Sequence, residues 1–340
     1  MANLWRSRER CTTMRGGDAS QPGSMVALTD LSILLVAITW GSSYVVMQTV
    51  GSAVPAAGFL ALRFAAAIPV IALLALRTLP QLTSSEVRNG IAFGFMLYGI
   101  LILETIGVLH TSAANSGFLI TVSVVLVPVL ERVLSRRAQP LPVYLATVTA
   151  LAGCGLLLLS KGGFHPQSGD LIILAAAMIR ATQITLFGRS SEGQNQSLVN
   201  ITLIEFVVVL LLATATSVLT GAPMWRLAGA VSGSNWLLIV YLGVIGTSFA
   251  FFAQLRGARR TSSTRVGLIL CTEPVFSTLF AVLVAGEQLT VVQWIGGALV
   301  VGSAIVGRSL EGARKVPARV VAEPSRHPLR TGPDTTGSGP

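Results

Sequence analysis

Apolar residues form ten stretches along the chain, each long enough to cross a bilayer and separated from the next by a polar connection. A helix rises 1.5 Å per residue, so a hydrocarbon core of about 30 Å requires roughly 20 apolar residues. Backbone polar groups in hydrocarbon must bond internally, so these stretches are predicted to be helices. The predicted spans are 30–49, 56–76, 89–109, 113–133, 142–160, 169–188, 198–219, 235–255, 265–285 and 291–307. The pattern therefore predicts an all-α integral membrane protein with ten transmembrane helices.

The positions of the cations give these helices a direction. All but four of the 24 Lys and Arg residues lie in the tails or in alternate connections, while the opposite connections contain only Lys161 and Arg226. Cytoplasmic loops have the excess of Lys and Arg, so both termini are predicted to be cytoplasmic, in a multi-pass protein of a bacterial inner membrane. The net charge of +10 is spread over loops and tails. This distribution favours contact with membrane lipid headgroups over binding of nucleic acid.

The two halves of the chain resemble each other in order. The polar connection Lys161–Asp170 leaves five spans on each side, and Asp30-Leu opens the first half as Asp170-Leu opens the second. Thr111-Ser and Thr261-Ser are 150 residues apart. Five is odd, so the second copy must enter the membrane from the opposite side, which predicts two inverted five-helix repeats as in secondary transporters. The predicted organisation is a disordered cytoplasmic tail over 1–27, a first repeat over 28–160, a periplasmic connection over 161–168, a second repeat over 169–307 and a disordered cytoplasmic tail over 308–340.

Five ionisable residues lie well inside the predicted spans, where each costs about 2.5–3.5 kcal/mol on insertion scales. They should face the interior of the bundle or a water-filled cavity. Depth along the helices predicts an outer pair of Arg63 with Glu104 and an inner cluster in which Arg180 approaches Glu205 or Glu273. Two interpretations stay open, namely a binding cavity for a polar or zwitterionic solute and structural ion pairs that lock helices together.

Further polar and aromatic residues are candidates for the lining of the same cavity. They are Trp40, Tyr44, Tyr98, Asn115, Gln183 and Gln254. Pro128 and Pro274 are candidates for a kink or a gate, because proline lacks an N–H and can bend a helix. Packing inside the protein is the alternative role for Trp40, and a simple kink is the alternative for Pro274.

Several short motifs, in this order, resemble those of the EamA-type family of the drug/metabolite transporter (DMT) superfamily. They are Trp40-Gly41-Ser42-Ser43, Leu62-Arg63-Phe64, Thr111-Ser112-Ala113-Ala114-Asn115, Glu273-Pro274, Glu287 and Trp294-Ile295-Gly296-Gly297. The resemblance covers about 30–307. It departs at Arg180, where the family more often has an aromatic residue, and the first half lacks a clear counterpart of Glu287. Members are transporters with ten spans, and many export metabolites, amino acids or toxic compounds.

We therefore expect a secondary transporter that exports small organic metabolites or drugs by alternating access around a mid-membrane cavity. The chain has no His-Glu-x-x-His, Gly-x-Ser-x-Gly or Gly-x-x-x-x-Gly-Lys motif, so no catalytic residue, metal or cofactor is predicted. The expected partners are a small-molecule substrate, membrane lipids and coupled protons; nucleic acid is not expected, and a homodimer stays open. The alternative function is an intramembrane enzyme acting on lipid-linked substrates.

Overall fold

The structure is a computed structural model that describes residues 21–135, 141–157, 159–160, 163–164, 166–190, 196–260 and 263–315. Its helices are α1 Gln21–Gly51, α2 Ala56–Ala75, α3 Ser84–Val108, α4 Ala113–Ser135, α5 Leu141–Leu157, α6 Ser168–Ser190, α7 Leu198–Leu219, α8 Met224–Ala230, α9 Gly233–Val240, α10 Ala250–Arg260, α11 Ser263–Leu270, α12 Glu273–Leu283 and α13 Val291–Lys315. A π-helical segment, Tyr241–Phe249, joins α9 to α10. The remaining elements are a 3-10 turn at Leu79–Gln81 and a short antiparallel ladder of β1 (Leu159–Ser160) with β2 (Gly163–Phe164).

Six apolar helices of the described ranges are long enough to cross a membrane. They are Ala27–Gly51, Ala56–Ala75, Ser84–Val108, Ser168–Phe187, Leu198–Leu219 and Gly233–Gly257. Four shorter apolar helices coincide with the other predicted spans, at Ala113–Val127, Tyr144–Leu157, Glu273–Leu283 and Val291–Val306. The structure thus fits an all-α membrane protein. The ten-span count stays a prediction, because four of the segments are shorter than a crossing requires.

The boundaries of the tails differ from the prediction. Helix α1 begins at Gln21 and α13 continues to Lys315, so the predicted disordered tails are helical over 21–27 and 308–315. Both helices extend beyond their apolar stretches. Once a helix has formed, each further residue adds one backbone hydrogen bond, so the helix can continue into polar sequence. The rest of both tails lies outside the described residues.

One end of the bundle is organised around Glu86. The Thr83 hydroxyl accepts from the Glu86 N–H at 3.3 Å, and the Glu86 carboxylate accepts from the Thr83 N–H at 3.1 Å, which forms a capping box at the start of α3. The same carboxylate accepts from the N–H of Ser197 at 2.6 Å, so it also holds the start of α7. Arg77 and Arg88 lie at this end, which is termed the basic end.

The opposite end is closed by polar contacts between α1, α4, α6 and the segment before α13. Gln48 Nε2 donates to the Thr111 carbonyl at 3.0 Å, and the Thr111 hydroxyl donates to Asp170. The carboxylate of Glu287 accepts from the N–H of Ala113 at 2.7 Å and so caps α4. Such contacts satisfy helix-terminal N–H groups that would otherwise lack partners.

Contacts between helices recur in pairs across the two halves. Helix α2 packs against α7, α4 against α12, and α5 against α13. The contact of α3 with α6 in one direction corresponds to the contacts of the π-helical segment and α10 with α1. In the same way, the contact of α4 with α6 corresponds to that of α12 with α1. Each of these contacts maps onto another, or onto itself, when the halves are exchanged. Phe64 of α2 and Phe206 of α7 meet edge to face, with ring centroids 5.1 Å apart.

Glycines allow α3 and α7 to approach closely. A Cβ added at Gly90 would lie 2.7 Å from Ile204 Cβ, and one added at Gly94 would lie 2.7 Å from Val208 Cβ. Small residues four positions apart share one face of a helix and permit close backbone packing in membranes. These two helices therefore form a tight pair beside the cavity described below.

Candidate functional site

A cavity of about 370 Å³ lies between helices of both halves. Its walls come from α1 to α4, α6, α7, α10, α11 and the first residue of α12. Four of these helices each contribute residues at positions i, i+3, i+4 and i+7, the spacing of one helical face. They are Trp40, Ser43, Tyr44 and Met47 on α1; Leu97, Ile100, Leu101 and Glu104 on α3; Ile120, Ser123, Val124 and Val127 on α4; and Arg180, Gln183, Ile184 and Phe187 on α6. The volume is typical of pockets for small organic molecules.

Most of the residues singled out from the sequence line this one cavity. They are Trp40, Tyr44, Arg63, Glu104, Arg180, Gln183, Glu205, Gln254 and Glu273. Tyr98 and Asn115 are not among its lining residues. The Tyr98 hydroxyl faces α7 and lies 2.6 Å from the hydroxyl of Thr216. Asn115 is buried in the first turn of α4, outside the cavity wall, and its side-chain oxygen has no hydrogen-bond partner in the described part of the chain.

The predicted ion pairing is wrong. Arg180 Nη1 lies 3.3 Å from Glu104 Oε1, so the ion pair joins α6 to α3. Arg63 instead donates from Nε to the hydroxyl of Thr247 at 2.9 Å, in the π-helical segment. Counting residues along each span predicts how deep a side chain lies in the membrane. The rotation of each helix about its axis determines which partner that side chain reaches. Helix α3 packs against α6, so Arg180 reaches Glu104, while Arg63 faces the π-helical segment that packs against α2.

The expected approach of Arg180 to Glu205 or Glu273 does not form an ion pair within 4.0 Å in the described structure. Arg180 and Glu273 are still close enough to interact electrostatically. Glu273 accepts a hydrogen bond of 2.9 Å from the Tyr44 hydroxyl, which is itself buried. Arg180, Glu104, Tyr44 and Glu273 therefore form one polar cluster in the cavity wall.

Trp40 anchors this cluster to the π-helical segment. Its Nε1 donates to the Gly246 carbonyl at 2.8 Å, and the Arg180 guanidinium lies 5.4 Å from the centroid of its ring. This distance is that of a cation–π contact. The Phe251 ring meets Trp40 edge to face at 6.2 Å. Trp40 thus packs and lines the cavity at the same time, which joins the two roles that the sequence left open.

The helix that contains Pro274 is interrupted. Helix α11 ends at Leu270 and α12 begins at Glu273, with Pro274 in its first turn. Proline cannot donate to the carbonyl four residues earlier, and the interruption lies next to it. The break places Glu273 at a helix start beside the cavity. Pro128 lies within α4, and its side chain is outside the described part of the structure.

Glu205 differs from the other two acids of the cavity. It is 5% exposed. Glu104 has an ion pair and Glu273 a hydrogen bond, but Glu205 has neither among the residues that the structure describes. Gln254, another lining residue, has a buried side-chain nitrogen without a partner there.

The cavity lies at mid-depth in the bundle. Its lining residues on α1, α2 and α3 lie in the halves of those helices farther from the basic end, whereas those on α6 and α7 lie in the halves nearer to it. Thr202 and Glu205 lie in the first two turns of α7, which starts at the basic end. The opposite end is filled by the contacts of Gln48, Asp170 and Glu287.

The lining residues that the sequence did not single out include Phe187, Phe251 and Thr202. Phe187 lies seven positions after Arg180, and Thr202 lies three before Glu205. Extending each buried charge along its own helical face would have found them. Phe251 lies three positions before Gln254 and is found in the same way.

The described part of the chain contains no group of three or more His, Cys, Asp or Glu residues that could hold a metal ion. The polar groups of the cavity are two guanidinium groups, three carboxyl groups, hydroxyls and amides. Such groups can bind a solute through charge and hydrogen bonds.

Comparisons with known proteins agree with this architecture. Residues 167–307 match the model of the EamA-like transporter family. An uncharacterized transporter of Archaeoglobus fulgidus is 24% identical over 277 residues, which are 82% of this chain and 84% of the relative. The uncharacterized inner membrane transporter YicL of Salmonella typhimurium is 39% identical over 77 residues, 23% of this chain and 26% of the relative. The uncharacterized transporter YdfC of Bacillus subtilis is 26% identical over 62% of this chain and 66% of the relative.

A crystal structure of a protein that is 20% identical aligns with a TM-score of 0.57 over 86% of this chain and 99% of the other, which shows a similar fold. The family match and the transporter-named relatives point to a transporter rather than to an enzyme. Together with the apolar helices, they support a multi-pass membrane transporter of the drug/metabolite transporter superfamily.

Proposed function

We propose that the protein is a secondary transporter that exports small organic metabolites or drugs across a bacterial inner membrane. It works by alternating access, with ten helices arranged as two inverted five-helix repeats and both termini in the cytoplasm. The observation that supports this most directly is the charged cavity between helices of both halves. Charged groups at membrane depth are expensive, and they mark solute and ion pathways.

The depth of the cavity suits a central binding site. Arg180 lies twelve residues after the start of α6, or roughly 18 Å along a helix of 23 residues. This is about half of the helix length. A solute bound beside Arg180 would therefore lie near the bilayer midplane, where transporters with inverted repeats hold their substrates.

The recurrence of helix contacts between the halves supports the inverted repeat. If the two halves are equivalent, the contacts that close one end can form at the other end in a second conformation. In the present conformation, polar contacts of Gln48, Asp170 and Glu287 close the end of the bundle opposite the basic end. We infer that this conformation is the cytoplasm-facing state.

The cavity wall defines the chemistry of the solute. Arg63, Arg180, Glu104 and Glu273 provide charges of both signs, so the solute has a polar or zwitterionic group. Aromatic and aliphatic side chains cover much of the remaining wall, so the solute also has an apolar portion. Phe187, Phe251 and Leu101 are examples.

The test is transport in everted membrane vesicles that contain the protein, with and without a proton gradient. The probes are a panel of labelled amino acids, nucleosides and organic acids, together with ethidium. We expect accumulation of at least one probe, and loss of that activity in Arg180→Gln with Glu273→Gln. Arg226→Gln, at an exposed position of α8, is the matched control. Unchanged transport in the double variant would refute the site, and no transport of any probe would refute the function.

The topology has its own test. Cysteines are placed singly at His110 and at Arg88, both exposed in the structure, in a chain whose native cysteines are replaced. An impermeant thiol reagent added to whole spheroplasts should label the first and not the second. Labelling of both, or of the second alone, would exclude the proposed orientation.

A further inference from the structure

Of the three acids in the cavity, Glu205 alone has no partner in the described part of the chain. Glu104 is 3.3 Å from a guanidinium nitrogen, and Glu273 accepts from a hydroxyl at 2.9 Å. A carboxylate with a charged or donating partner keeps its charge more easily than one without. Of the three acids, Glu205 is therefore the one whose charged form is least stabilised by a neighbour.

The helices around α7 give Glu205 no charged partner within 4.0 Å among the residues that the structure describes. Those in close contact are α2, α3, α8 and α10. Their charged or titratable groups on described side chains are Arg63 on α2 and Arg77 just after it; Glu86, Arg88, Tyr98 and Glu104 on α3; Arg226 on α8; and Arg256 and Arg260 on α10. Of these, Arg63 and Glu104 line the same cavity.

Neither of these two residues pairs with Glu205. On α3, Gly94 is level with it, since a Cβ there would lie 3.2 Å from Glu205 Cα, and Glu104 is ten residues, or about 15 Å, farther along. On α2, Arg63 directs its Nε to the hydroxyl of Thr247, and its neighbour Phe64 packs against Phe206.

An ionised carboxylate in such surroundings is unfavourable. Removing an isolated charge from water without a compensating partner costs several kcal/mol, and the group becomes neutral instead. Glu205 is 5% exposed and lies on the tightly packed face between α3 and α7. These surroundings favour the neutral, protonated form of the Glu205 carboxyl group.

We propose that Glu205 takes up and releases the coupling proton of the transport cycle. This inference rests on the proposed function. On release, the O–H bond of the carboxylic acid breaks, the electron pair stays on the carboxylate oxygen, and the proton passes to water at the end that is open. Reprotonation from the other side completes the cycle, and the transmembrane proton gradient supplies the driving force.

The first experiment needs no substrate, because its probe is the proton. Infrared spectra of the purified full chain in lipid are recorded at neutral pH in H2O and in D2O. We expect a carbonyl band of a protonated carboxyl group that shifts in D2O and is absent from Glu205→Gln. Glu205→Asp should retain a band at a different frequency. Glu86→Gln, which alters an acid with several donors at the basic end, should leave the band unchanged.

A wild-type spectrum without this band, or a band that persists unchanged in Glu205→Gln, would overturn the inference. Co-elution of each variant with the wild type in size-exclusion chromatography shows that it is folded. If Glu205→Gln does not fold, Glu205→Asp decides, since an unchanged band in that variant excludes Glu205 as its source.

The second experiment uses proteoliposomes and the labelled amino acids of the vesicle panel. Glu205→Gln should lower accumulation driven by a proton gradient at least tenfold more than it lowers exchange of internal for external amino acid. Gradient-driven accumulation at the wild-type level in this variant would refute the role of Glu205 and leave the transporter function intact. Absence of both activities in the wild type would instead refute the function proposed for this panel, and the infrared result would still stand.

Discussion

The ion pair between Arg180 and Glu104 can be tested by removing its partners singly and together. Arg180→Gln leaves a Glu104 side chain that is 8% exposed without its cation. Breaking a buried pair in this way costs about 3–5 kcal/mol. The Arg180 side chain is 25% exposed, so water screens part of the interaction, and we expect about 3 kcal/mol. This corresponds to a factor of roughly one hundred in the unfolding equilibrium.

The double variant separates the pair from the rest of the site. Glu104→Gln in the Arg180→Gln background removes the orphaned acid and should restore about 2 kcal/mol. The remaining loss of about 1 kcal/mol corresponds to the contact of Arg180 with the ring of Trp40. The measurement is the free energy of unfolding in mixed micelles titrated with sodium dodecyl sulfate, with helix content as the signal.

A matched pair of variants provides the control. Arg63 is as deep in the bundle but donates to Thr247, so the coupling energy between Arg63→Gln and Glu104→Gln should be smaller than that between Arg180→Gln and Glu104→Gln. If Glu104→Gln rescues Arg63→Gln and not Arg180→Gln, the pairing derived from the structure is wrong and the pairing predicted from depth is right.

Two further predictions concern packing and capping. Gly94→Ala should lower the free energy of unfolding in the same assay by about 1–3 kcal/mol, because its Cβ would lie 2.7 Å from Val208 Cβ. Gly99→Ala, in the same helix, meets only a side-chain atom at 3.7 Å and should be neutral or stabilising, so equal losses would contradict the close contact. Glu287→Ala removes the acceptor that caps α4. It should lower the free energy of unfolding by about 1–2 kcal/mol, which is measured as a lower midpoint of thermal unfolding. Gln288→Ala, the exposed neighbour, is its control, and the same shift in both variants would argue against the cap.

The sequence was sufficient for the elements and for most of the cavity residues. Each of the ten apolar stretches coincides with helical segments of the structure, and six of these are long enough to cross a membrane, since length and hydropathy determine which segments can lie in hydrocarbon. Nine candidates met in one cavity because an ionisable or amide group inside a span has few stable positions except the interior. Tyr98 shows the limit of that argument, because a tyrosine hydroxyl needs only one partner and finds Thr216 between two packed helices.

The sequence alone did not predict which side chains on different helices contact each other. Depth along a span follows from residue count, but the rotation of a helix about its axis depends on where neighbouring helices approach. The Gly90 and Gly94 contacts bring α3 and α7 together, and Arg180 reaches Glu104 because α6 packs against α3. Arg63 bonds to a π-helical segment that no periodicity in the chain predicted.

The sequence by itself determined the membrane environment, the helical class and the burial of five ionisable side chains, because each follows from the transfer of single groups out of water. Only the tertiary structure decided which charges meet, which acid has no described partner and which end of the cavity is closed. Those outcomes depend on contacts between residues far apart in the chain, and their energies arise only when the helices have packed.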